Sequence, residues 1–211
     1  MKSMGRITWL VAVTVFCSTL CSITARALTL AENTVVLESY VAEEQRNYSI
    51  AIGKLMPLLK TSPNDYFLNL RLGWLFFQSQ KYKNAINHYE AAAKVEPASV
   101  EPGLGLSAVL MTISDYPEAI AACKEILRRD PLNYMGRQRL IKAYLGQKDF
   151  ANAAREAEAA LKTYPTDAIF LEQRGYALTQ SGQTDQARQV LATLLLVNPK
   201  NPYARSILGA P

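Results

Sequence analysis

Residues 66–99 read YFLNLRLGWLFFQSQKYKNAINHYEAAAKVEPAS, and this 34-residue stretch decides the fold. Its marker residues are Leu72-Gly73, Phe76, Tyr82, Ala85, Tyr89, Ala92 and Pro97. Pro97 has counterparts at Pro63, Pro131, Pro165 and Pro199, each 34 residues from the last. Ala85 has counterparts at Ala51, Ala119, Ala153 and Ala187 with the same period. At a background proline frequency of about 5%, four successive matches to the first arise by chance roughly once in 100,000. Two combs in phase define five units, 32–65, 66–99, 100–133, 134–167 and 168–201.

The spacing resembles the tetratricopeptide repeat, a helix–turn–helix unit. The resemblance extends to Gly175, Leu178, Gly182, Ala187, Leu191 and Pro199 in the fifth unit. It implies an all-α, right-handed superhelical solenoid over residues 28–211. The Gly73 and Gly175 position marks a close crossing of the two helices in a unit. The five alanines lie where the first helix packs on the second at short range. Each proline ends the second helix, because the residue before it disfavours the helical region. Large residues such as Tyr82, Phe150, Tyr89 and Leu191 fill the space between helices. The crossing position holds Ser39, Ser107 and Ile141 in the other units, and Ile141 is expected to splay its pair slightly or to change its local twist. A capping helix is expected within 202–211, with Tyr203, Ile207 and Leu208 covering the last repeat.

The N-terminus reads as an export signal. Lys2 and Arg6 precede the mainly apolar run Ile7 to Leu20, and Ala25-Arg26-Ala27 supplies a small-x-small cleavage pattern. Removal of residues 1–27 is the expectation, leaving a periplasmic or secreted chain. The alternative is an uncleaved anchor, although the run is shorter than the roughly 20 apolar residues of a membrane span. Without Lys2, Arg6 and Arg26, the formal charge of +5 falls to 20 basic against 18 acidic residues. So small an excess gives no reason to expect nucleic acid. Cys17 and Cys21 leave with the signal, and Cys123 alone provides no internal disulfide.

No catalytic constellation stands out, and neither a cofactor nor a small-molecule substrate is expected. His88 is the only histidine and is expected as a solvated side chain on the convex surface. Cys123 reads as a small buried hydrophobe. Gly103-x-Gly105 opens a helix without a preceding strand, which fails the context for nucleotide binding.

The resemblance also implies a concave groove lined by the first helix of each unit. Its slots hold Tyr40 in the first unit, and Phe67, Leu70, Arg71, Trp74 and Phe77 in the second. They hold Met111 in the third, Gln138, Arg139 and Lys142 in the fourth, and Tyr176 in the fifth. The early slots are aromatic and aliphatic, with Arg71 at the margin, while Arg139 and Lys142 add two cations. Such a surface suits an extended segment with an apolar stretch and a carboxylate. The Lys and Asn places of the family's carboxylate clamp hold Leu70, Trp74 and Gly105, so that clamp is absent. The expected function is a non-enzymatic scaffold that binds a protein or peptide partner within a bacterial envelope assembly or export complex. The alternative is self-assembly into homo-oligomers through the groove or the solenoid ends.

Overall fold

A computed structural model describes residues 29–209, so the expected signal at 1–27 lies outside the described residues. Eleven helices follow one another, with no strand among the described residues: α1 (Leu30–Glu44), α2 (Tyr48–Thr61), α3 (Tyr66–Gln78), α4 (Tyr82–Val95), α5 (Glu101–Thr112), α6 (Tyr116–Arg129), α7 (Tyr134–Gly146), α8 (Phe150–Thr163), α9 (Ala168–Gln180), α10 (Thr184–Val197) and α11 (Pro202–Leu208). They form five hairpins and a cap.

The hairpin turns explain the period. In each, one residue takes a left-handed conformation: Arg46, Gln80, Ser114, Lys148 and Gly182, spaced by 34 residues. Around Gln80, the Lys81 amide donates to the Phe76 carbonyl and the Gln80 amide to the Phe77 carbonyl, both at 2.9 Å. This is a Schellman closure, which satisfies the last carbonyls of α3 and reverses the chain. The same pair of bonds recurs in the other four hairpins. Only the fifth turn has the glycine that this backbone favours.

The proline comb closes the second helices as expected. The residues before the five prolines, Ser62, Glu96, Asp130, Tyr164 and Asn198, all leave helical geometry, with ψ between 69° and 89°. Asp65, Asn133, Asp167 and Asn201 then cap the following helix through their side chains. The third hairpin differs. Its helix starts one residue later, at Glu101, with Pro102 in the first turn.

Packing follows the register. All five comb alanines are buried. Gly73 crosses α4 at Tyr89, where an added Cβ would lie 2.8 Å from the ring, and Gly175 crosses α10 at Leu191. The bulk at this crossing is exchanged between partners. Gly73 faces Tyr89 and Gly175 faces Leu191, and the register sets Ser107 opposite Cys123 and Ile141 opposite Ala157, all four fully buried. The alanine only partly offsets the isoleucine, because α7 and α8 have the sparsest backbone contact of the five hairpins, in line with the expected splay. At the C-terminus α11 covers the last repeat through Ala204, with Tyr203, Ile207 and Leu208 half-buried against the core.

Successive first helices touch one another, α3 on α5, α5 on α7 and α7 on α9, while successive second helices lack comparable contact. The first helices therefore lie on the inside of the curve. No described helix is long and apolar enough to cross a membrane.

Candidate functional site: the concave face

Four expected groove residues stand open on the first helices: Tyr40, Phe67, Trp74 and Tyr176, with Trp74 at 42% exposure. Leu70, Phe77 and Met111 are half-buried against the core, so they serve packing as well as lining. Met135 and Ile169 share the slot of Phe67 and are exposed alongside it. Ile169 is expected in the groove from the sequence, whereas Met135 is an addition that the register alone supplies.

Arg71 requires a correction. It is buried rather than marginal, at 8% exposure. Its guanidinium ion-pairs with Glu43 and lies 3.7 Å from the centroid of the Tyr40 ring. Trp74 Nε1 donates to the same Glu43 carboxylate at 2.5 Å. Arg71 is thus neutralised inside the first interface and holds Tyr40 in place. Gln138 is also buried and offers little contact surface.

Arg139 and Lys142 do not act as a pair. Lys142 is exposed. Arg139 is half-buried and reaches back to the third repeat, where Nη1 donates to the Leu104 carbonyl and to Ser107 Oγ, the latter at 3.1 Å. Burial pushes its pKa down, while the neighbouring Cys123 and Tyr89 push it up. The guanidinium keeps its charge regardless. No carboxylate pairs with it among the described residues.

The concave face holds a cleft of about 290 Å³ lined by Leu70, Trp74, Phe77, Tyr89, Glu101, Leu104, Gly105, Ala108 and Arg139. The structure thus brings Trp74, Phe77 and Leu70 of the second repeat together with Arg139 of the fourth. Tyr89 and Glu101 are additions. Tyr89 comes from a second helix, which a reading restricted to first helices does not search. Its phenol is pushed up to about 12, mainly by burial. Glu101 on α5 accepts a hydrogen bond from the Tyr66 hydroxyl at 2.9 Å.

His88 is a second correction. It is half-buried, not solvated, and its ring stacks on Phe76 at 5.1 Å. Nδ1 lies 3.0 Å from Asn69 Oδ1. Asn69 uses its amide nitrogen to donate to the Pro63 and Asp65 carbonyls, so its oxygen is the acceptor and His88 Nδ1 carries the proton. Burial lowers the His88 pKa. Cys123 is buried as expected, and burial pushes its thiol up to about 11. No cluster of metal-ligating side chains occurs among the described residues.

Comparison with known proteins agrees with this architecture. Tetratricopeptide repeat family models match residues 70–134 and 144–210. A crystal structure of MamA is similar at 17% identity and TM-score 0.73, covering 82% of this chain and 94% of that one. MamA from Desulfovibrio magneticus RS-1, residues 41 to the end, is similar at 15% identity and TM-score 0.73, covering 83% and 99%. YrrB, described as a TPR protein with an unusual peptide-binding site, is similar at 13% identity and TM-score 0.70, covering 82% and 89%. Likeness at these identities is a likeness of fold. With the 34-residue register, the repeated turn and the two model matches in agreement, the chain belongs to the tetratricopeptide repeat family.

Proposed function

We propose that the protein is a non-enzymatic adaptor that holds an extended segment of a partner protein along its concave face. The observation that carries this reading is the open row of Tyr40, Phe67, Trp74 and Tyr176 beside an apolar cleft. Aromatic anchors of this kind dominate binding energy where they are packed by a partner. The family is built for protein interaction, and the similar YrrB is described as having a peptide-binding site. The N-terminal pattern of residues 1–27 supports export, which would place the adaptor in the periplasm or beyond, within an envelope assembly or export complex.

The test combines crosslinking with a variant. Partners crosslinked to the protein in the native envelope are identified and their binding segments measured by titration. Trp74→Ala should weaken that segment more than tenfold, with the melting temperature unchanged. A steep fall in melting temperature would show that Trp74 is a core residue. Sequencing the N-terminus of protein from the native host tests export, with Leu28 expected first.

One observation favours self-assembly as a second reading. Leu75, Val109, Ala143 and Ala177 occupy one slot of their repeats and are fully buried in hairpins that each follow another. Val41 holds that slot in the first repeat and is 53% exposed, with Leu37 and Ile50 exposed nearby. In this reading the end, open among the described residues, stacks on another copy, and sedimentation across a concentration range tests it. A Trp74→Ala variant that still captures its partner, together with a concentration-dependent mass, would favour this reading.

A further inference from the structure

The cleft exists because one repeat lacks two groove side chains. In the sixth slot of the repeats the chain has Arg71, Gly105, Arg139 and Gln173, from the second to the fifth. In the ninth slot it has Trp74, Ala108, Lys142 and Tyr176. Only the third repeat is small in both. The gap is therefore bounded by Trp74 on the side of repeat two and by Arg139 on the side of repeat four. Gly105 cannot be enlarged to close it, since an added Cβ would lie 2.3 Å from the buried Tyr89 ring.

We propose that this gap is a socket for one large apolar side chain of the bound segment, and that Arg139 takes a carboxylate carried two residues away on the same segment. The proposal rests on the peptide-binding reading of the concave face. The socket wall is apolar, with Leu70, Trp74, Phe77, Leu104 and Ala108, and its volume suits one side chain rather than a passing chain. In an extended segment, alternate residues share a face and lie about 7 Å apart. An acid on the socket side is thus two residues from the anchor.

Charge selects the acid. Arg139 is pinned through Nη1 alone, and its other nitrogens make no hydrogen bond among the described residues. Of the nearby acids, Glu43 is paired with Arg71. Glu101 accepts from the Tyr66 hydroxyl and keeps its negative charge in the cleft lining without an ion pair to Arg139, so the ligand acid has to lie on the Arg139 side. A half-buried cation without a counter-charge is costly, and a ligand carboxylate offsets that cost through a planar, two-bond contact. Lys142 is solvated and outside the cleft, so it does not share this role.

The experiment uses the purified protein and an array of random decapeptides, acetylated and amidated so that they carry no terminal charge. The expected result is enrichment of Leu, Phe, Met or Trp with Asp or Glu two residues away. For an enriched peptide, exchanging the acid for its amide should weaken binding about 10- to 100-fold. Arg139→Gln should bind the two forms equally. Ala108→Leu, which fills the socket from a half-buried surface, should lose the peptide with its melting temperature unchanged. Enriched peptides without the spaced acid would overturn the proposal while leaving the peptide-binding reading intact. So would an Arg139→Gln protein that still discriminates acid from amide, or binding found only when the peptide end is a free carboxylate. An array with no enrichment at all would overturn both.

Discussion

Replacing glycine by alanine at two helical positions should shift stability in opposite directions. In a helix interior the exchange alone is worth about 1 kcal/mol in favour of alanine. Gly53 lies within α2, and a Cβ built there meets nothing within 4 Å. Gly53→Ala should therefore stabilise the protein by about 1 kcal/mol. Gly105 lies within α5, where the same atom would sit 2.3 Å from Tyr89 Cε1 and 2.4 Å from Cζ. The ring has little freedom, because Gly73 also lies against its Cδ1–Cε1 edge, where an added Cβ would be 2.8 Å away. Overpacking of this kind costs about 3 kcal/mol at the upper end of its usual range. After the helix-propensity gain, the net loss is about 2 kcal/mol, or about 4–8 °C in melting temperature for a chain of this size. Urea titrations of the two variants and the parent supply the measurement, with midpoints compared at equal slope. Tyr89→Leu should remove most of the Gly105→Ala penalty, since the two substitutions share one contact. A Gly105→Ala protein as stable as the parent, or a penalty that persists without the tyrosine ring, would refute this account of the crossing.

Other expectations can be measured on the same material. Gln80→Gly and Lys148→Gly should each stabilise by about 1 kcal/mol in urea melts, because both residues hold positive φ, at 60° and 61°, where a side chain is unfavourable. Ala119→Trp should collapse the thermal transition, since this fully buried position has no room for an indole. The lowered His88 pKa means that the unfolded chain takes up the proton first. Stability should fall as pH drops through about 6.5, and His88→Gln should flatten that part of a pH series of melts. Cys123 has the opposite sense. Its thiol ionises near 9 when unfolded and at about 11 when folded, so the native protein should resist alkylation at pH 8 and lose stability as pH rises between those values.

The fold was legible because its signals are periodic. Proline and alanine each mark a backbone event that recurs every 34 residues, and the second helices start at that interval, at Tyr48, Tyr82, Tyr116, Phe150 and Thr184. The turn was less legible, since four of its five left-handed residues are Arg, Gln, Ser and Lys, which carry no turn signature. Exposure of Trp74 followed from its slot. The fate of Arg71 did not, because it depends on Glu43 and Tyr40 in the preceding repeat. The same limit explains His88, whose ring finds Phe76 and Asn69 on a different helix. The cleft was hidden for a related reason. It is formed by what Gly105 and Ala108 lack, and absence of bulk carries no mark in a single repeat.

The exchange of bulk across each crossing makes the helices of different hairpins poor substitutes for one another. A chimaera that set α7 against α4 would bring Ile141 to a place where even a methyl group lies 2.8 Å from the Tyr89 ring. Recombination within this chain therefore has to move whole hairpins. Even these are keyed to their neighbours, because Tyr89 of the second needs Gly105 of the third, and Ile126 of the third needs Gly136 of the fourth. The fifth hairpin is keyed to the fourth by rings instead, with Phe170 of α9 5.0 Å from the Tyr134 ring and 5.9 Å from the Tyr164 ring. Grafting or duplication therefore has to carry the residues on both sides of a junction, so the cleft-bearing hairpins pass on as one inherited block.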